Sequence, residues 1–158
     1  SFRTQATPNF NRGNNMTHNI SGDNSKNKIF ISYSKEDKGE AHQLYDTLKK
    51  LGLNPWLDEK DLLPGQDWEL EIRESISASD YFLACLSSKS VGKRGYVNKE
   101  IKFGLDVLEQ IPERQIYLIP VRLDECNIPI RLQSRQWVNL YEPDGLNKLL
   151  SSLNCKTE

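Results

Sequence analysis

The nine residues "DYFLACLSS", 80 to 88, constrain the fold of this chain more than any other stretch. They are almost continuously apolar over the length of one strand, the pattern of a strand covered on both faces at the centre of a parallel sheet. Parallel neighbours need crossover connections, and the rest of the chain supplies them. "KIFISYS" (28 to 34), "NPWLD" (54 to 58), "QIYLIPVRL" (115 to 123) and "QWVNLY" (136 to 141) are four more strand-like runs. Helical patterns lie between them. Ala41, Leu44, Tyr45, Leu48 and Leu51 recur at spacings of three and four, with Gly52 as a C-terminal cap, and predict a helix from about Glu36 to Leu51. Trp68, Ile72 and Ile76 mark a second helix with Asp67 as N-cap. A third ends near Gln110, and "EPDGLNKLLSSL" supplies a closing one. The expected fold is α/β, a flavodoxin-like five-stranded parallel sheet of order 2-1-3-4-5 with helices on both faces.

In such a sheet ligands bind outside the carboxyl ends of the strands, at the switch between strands one and three. That crevice collects Ser32, Tyr33 and Ser34 beside Ser87 and Ser88, with Asp58 at its flank. Ahead of the folded part, residues 1 to 27 are rich in Asn, Ser, Thr and Gly and read as a disordered tail or interdomain linker. Residues 28 to 153 form one domain, and 154 to 158 a short C-terminal tail. The chain opens on Ser1 rather than Met, which reads as a processed, tagged or excised piece.

Composition narrows the function classes. With 158 residues, of which 37% are hydrophobic, one domain with a full core is expected. Lys and Arg number 21 against 22 Asp and Glu, so no overall field draws the chain to nucleic acid or to anionic membranes. No apolar run approaches the roughly 20 residues of a membrane span, and no secretory signal is present, so a cytoplasmic location is expected. Cys85, Cys126 and Cys155 share no metal-ligand spacing, which speaks against a metal site or a disulfide framework, and Cys85 reads as a small core residue.

Common α/β chemistries fail on residue type. There is no GxGxxG after the first strand, no P-loop, and no acidic pair with a strand-three Asp as a phospho-receiver needs. "SYSKED" stands just before a helix whose free N-H groups can hold an anion, although taken alone a plain helix cap with solvated charges explains it as well. Trp68, after the "LDEKDLLPGQDW" loop, reads as packing on the core. Glu100 in "YVNKEIKFGLDVL" is the sharper candidate. Four residues after Tyr96, it shares a face with that ring if the helix has already begun there, beside the stripe of Val97, Ile101, Leu105 and Leu108. A lone helical Glu is more often solvent-facing. His18 and His42 offer no obvious base.

Together these segments resemble a Toll/interleukin receptor (TIR) domain. "KIFISYSKED" is similar to its opening strand and loop, "WLDEKDLLPGQDW" to its second strand and BB loop, and "LACLSSKSVGKRGYVNKEI" to the segment carrying serine, an aromatic and a glutamate four residues on. The resemblance covers about residues 28 to 153. Tyr96 and Val97 stand where the family commonly has Trp and Cys, and "QWVNL" matches the third family box only loosely, which makes the chain more similar to prokaryotic-type TIR domains than to animal adaptors.

The resemblance implies an enzyme that breaks the nicotinamide-ribose bond of NAD+, with NAD+ as substrate and no separate cofactor or metal, giving nicotinamide and ADP-ribose or a cyclic product. It implies activation by self-association with other TIR domains in immune or cell-death signalling, antiphage defence included, under a sensor domain of the parent protein. Carried onto these residues, Glu100 is catalytic and Tyr96 packs at the nicotinamide end. Ser32, Tyr33, Ser34 and Asp37 line the pocket, with Asp58, Lys60 and Trp68 contacting substrate near the second-strand loop. The alternatives are a non-catalytic TIR-TIR scaffold and, further off, a nucleotide receptor without turnover.

Overall fold

A computed structural model describes residues 28–57, 67–92, 97–111 and 116–153. Asp58, Lys60, Tyr96, the expected tail at 1–27 and residues 154–158 lie outside the described residues. The elements run β1 (Lys28–Ser32), α1 (Lys38–Lys50), β2 (Asn54–Leu57), α2 (Trp68–Ser77), β3 (Tyr81–Leu86), α3 (Lys99–Glu109), β4 (Tyr117–Arg122), β5 (Val138–Asn139) and α4 (Gly145–Ser152). The five strands are parallel in the order β2-β1-β3-β4-β5, the expected flavodoxin-like arrangement.

All six residues of β3 are buried, because it is paired on both sides and covered on both faces. One face carries Ile29, Ile31, Leu83, Cys85 and Val121 against Leu44 and Leu48 of α1 and Leu149 and Leu150 of α4. The other carries Phe30, Phe82, Ala84 and Leu86 against Ile72 and Ile76 of α2 and Ile101 and Leu105 of α3. On this second face three rings stand in register across β2, β1 and β3. Phe30 lies 5.2 Å from Trp56 and 5.3 Å from Phe82, both stacked. Aromatic cross-strand pairs of this kind hold register as well as area.

Helix ends follow local chemistry. Gly52 takes a φ of 87°, its N-H donates to Lys49 O at 3.1 Å, and Leu53 N-H donates to Leu48 O at 3.1 Å. That pair of bonds satisfies the last carbonyls of α1 and needs the left-handed residue between them. Asp67 Oδ1 caps α2 by accepting from Glu69 N and Leu70 N at 3.1 and 3.3 Å.

Several expected limits shift. A 3-10 turn at Lys35–Asp37 precedes α1, so the helix begins at Lys38 rather than Glu36. The last strand shrinks to Val138–Asn139, because β4 offers it only Val121 and Arg122 as partners. α3 starts at Lys99, capped by Asn98, and Val97 pairs antiparallel with Val91. α3 therefore begins one residue before Glu100, and the shared face expected of Tyr96 and Glu100 rests on a residue outside the described ones.

Both sheet edges are short, β2 carrying Pro55 within its four residues and β5 having only two.

Candidate functional site

The carboxyl ends of β1 and β3 form a mouth with two unlike sides. On the α3 side the decisive residue is Gly104. A Cβ built there would stand 3.0 Å from Phe82 Cζ and 3.1 Å from Ser32 Oγ, so the helix backbone rests directly on the last residue of β1. Glu100 lies four residues, one turn, before Gly104 and so on the same face of α3. Helical side chains lean toward the N-terminus, so from this face the direction open to Glu100 is toward the carboxyl end of β1. Glu100 is half-buried and, among the described residues, has no hydrogen-bond or ion-pair partner. Ser32 is 4% exposed, and its hydroxyl likewise has no partner among the described residues.

Trp68 joins this side from α2. Its ring stacks on Phe103 with centroids 5.3 Å apart, and Phe103 is the residue three beyond Glu100 on the helix surface. Trp68 is not packed into the core as expected. It remains 36% exposed, because the first turn of α2 stands at the rim and only Ile72 and Ile76 reach the sheet.

The α1 side is closed. Asp37, 3% exposed, accepts a 2.6 Å hydrogen bond from Ser87 Oγ, and Ser34 Oγ reaches it at 3.4 Å while donating to Glu36 Oε1 at 3.0 Å. Ser87 Oγ accepts in turn from Lys89 N at 3.1 Å and Ser90 N at 3.2 Å. Burial pushes the Asp37 carboxyl above the ordinary carboxylate range, against the Ser87 bond, which pulls the other way. Tyr33 packs into the core between the sheet and α1. The structure therefore separates the residues expected to line one pocket. Ser32 and Glu100 stand on the α3 side without partners among the described residues, beside Trp68 stacked on Phe103, whereas Ser34 and Asp37 are turned to an internal network.

Sequence reasoning passed over Ser90, Asn98, Phe103, Gly104 and Asp124. Asp124 fixes the same β3–α3 connection from the opposite flank, accepting from Ser88 N at 2.8 Å and Ser88 Oγ at 2.9 Å. Asn98 was legible as an N-cap, since it precedes the first helical residue and its side chain accepts from Ile101 N at 3.3 Å. Cys85, a core residue as expected, has its thiol pushed up to about 12 by burial. Among the described residues no group of His, Cys, Asp and Glu could hold a metal ion, and no helix is long and apolar enough to cross a membrane.

The profile of one family, described as TIR domain, matches residues 29–150, more than half of the chain. The chain belongs to the TIR domain family. A relative of this TIR domain, the 2' cyclic ADP-D-ribose synthase AbTIR of Acinetobacter baumannii, is 34% identical over 74 residues, covering 46% of this chain and 27% of that protein. The chain thus spans well under half the length of the relative it matches. Among solved structures, the TIR domain of the Toll-related receptor TRR-2 from Hydra magnipapillata aligns with a TM-score of 0.62 at 17% identity, covering 80% of this chain and 97% of that one. A prokaryotic SEFIR domain aligns at 0.57 and 24% identity, over 81% and 96% of the two chains. The TIR domains of the activated Roq1 resistosome, which recognises the pathogen effector XopQ, align at 0.51 and 17% identity, over 80% and 81%. At these identities the structural likeness speaks for the TIR fold alone.

Proposed function

We propose that this TIR domain cleaves NAD+ between nicotinamide and ribose, with Glu100 facing the sugar in the transition state. One observation carries the reading: α3 rests on Ser32 through Gly104, and one turn earlier on the same helix stands Glu100, half-buried and without a partner among the described residues. The name of the Acinetobacter relative, a cyclic ADP-ribose synthase, supports the same substrate.

The chemistry asks for little else. Nicotinamide departs as a neutral base with the bonding electron pair, so no general acid is required. Positive charge grows on the ribose as in other glycosyl transfers, and a fixed carboxylate next to it stabilises that charge. Water then bonds to the anomeric carbon and releases its proton to solvent, giving ADP-ribose. A hydroxyl of the same molecule in place of water gives a cyclic product. Ser32 would anchor the substrate beneath Glu100, and Trp68 would cover it from the rim. Tyr96, Asp58 and Lys60 keep the contacts that the family resemblance implies. Turnover in this reading depends on association with further TIR domains, driven by a sensor in the parent protein.

The test is nicotinamide release from NAD+ by the wild type and by Glu100→Gln, each also artificially clustered. Equal release by both would remove Glu100 from the mechanism, and no release by either clustered protein would remove the enzyme.

A second reading, association with other TIR domains without turnover, draws on the rim itself. Within the first turn of α2, Trp68 and Leu70 are 36% and 48% exposed, apolar side chains that a partner could cover. Product analysis on the clustered protein separates the two.

A further inference from the structure

We infer that Asp37, expected from the sequence to line the substrate pocket, is instead the positioning residue that holds Glu100 over the mouth, acting through the β3–α3 connection. The inference rests on the reading of Glu100 as the catalytic group.

A continuous set of hydrogen bonds joins the Asp37 carboxylate to the first turn of α3, which carries Glu100. Asp37 Oδ2 accepts from Ser87 Oγ at 2.6 Å, a length usual for a hydroxyl donating to an ionised oxygen. Ser87 and Ser90 then lock each other. Ser90 N-H donates to Ser87 Oγ at 3.2 Å, and Ser87 N-H donates to Ser90 Oγ at 2.9 Å. From Ser90 the link passes to the returning strand of the connection, where Asn98 N-H donates to Ser90 O at 3.0 Å beside the Val91–Val97 bridge. Asn98 finally caps α3 through Ile101 N, in the turn that carries Glu100.

All of these groups except Asn98 are buried or bonded within the backbone, so each has one arrangement available. Asp37 is the only member supplied by the β1–α1 segment, and it therefore sets where the start of α3 lies relative to β1. Asp124 holds the neighbouring Ser88 from the β4 side and leaves the connection attached when Asp37 is changed. That division makes Asp37 a determinant of position rather than of folding. A misplacement on the order of 1 Å at a reacting group can cost about a hundredfold in rate, so control at this distance from the chemistry is physically sufficient.

The test compares Asp37→Ala, Asp37→Asn and Ser87→Ala with the wild type in clustered full-length chain. Two readouts are taken, nicotinamide release as kcat and KM, and hydrogen exchange at the amides of Asn98 and Ile101. Asp37→Ala and Ser87→Ala are expected to lower kcat about tenfold with KM held within about twofold. Exchange at Asn98 and Ile101 should rise while that at Ile31 and Leu83 stays as in the wild type. Asp37→Asn, which keeps an acceptor for Ser87, should recover most of the lost kcat.

A raised KM with kcat retained would overturn the inference and return Asp37 to substrate contact. Unchanged exchange at Asn98 and Ile101 would also overturn it, and this arm decides even if the wild type releases no nicotinamide, in which case the enzyme reading fails separately. Should Asp37→Ala not fold, Ser87→Ala carries both measurements.

Discussion

The two carboxylates at the mouth, Asp37 and Glu100, differ in everything but their chemistry. Asp37 is nearly inaccessible and receives the Ser87 hydroxyl, with Ser34 Oγ 3.4 Å away, whereas Glu100 is half-buried with no partner among the described residues. A buried charge is tolerable only where hydrogen bonds replace its lost water, and the serines around Asp37 do that. A carboxylate left open beside a crevice has nothing to stabilise within the protein, and its energy becomes available to a ligand. The side of the mouth with the richer polar network is thus the side built for structure.

The largest test of this contrast is Glu100→Gln. We expect a loss of turnover of roughly a hundredfold to a thousandfold, in line with removal of one preorganised electrostatic group, at a stability within about 0.5 kcal/mol of the wild type. Turnover and urea midpoints measured side by side check it, and a large stability loss would mean that Glu100 does belong to a structural network.

Gly104→Val should follow, costing about 1–3 kcal/mol, because the added carbons meet the Phe82 ring and Ser32 at contact distance and α3 must lift. Thermal or urea unfolding reads it directly. Trp68→Ala should cost about 1 kcal/mol through loss of its stack on Phe103 and raise KM more than it lowers kcat.

The smallest effect is one of pH. Burial raises the Asp37 carboxyl above its unfolded value, so the folded protein keeps a proton that the unfolded chain releases first. Wild-type stability must then decline, relative to Asp37→Asn, as pH climbs from about 3.9 through the folded value, and the difference levels off above it. Urea midpoints of both proteins across that range give the sign, and a flat difference would show the carboxyl to be unperturbed.

Much of the fold was readable because its determinants are local. The continuous apolar run of β3, the spacing of Leu44 and Leu48, Gly52 and Asp67 all act within a few residues of themselves. The expected site was readable only in part. Glu100 falls in the first turn of α3, a placement that depends on its own helix and that periodicity could reach. The burial of Asp37 depends on Ser87, 50 positions away, and no local pattern encodes that pairing. The start of α3 was left open because the apolar Val97 fits a helical stripe as well as it fits the bridge to Val91. Only the Asn98 side chain distinguishes the two.

The blunt margins of the sheet bear on how copies of this domain can gather. Proline has no amide hydrogen to offer an incoming strand, and two residues make too short a template at the opposite margin. Among the described residues, both margins thus offer a poor template for lateral zippering. Contacts made through helices and loops, by contrast, can form and come apart without rebuilding a backbone ladder.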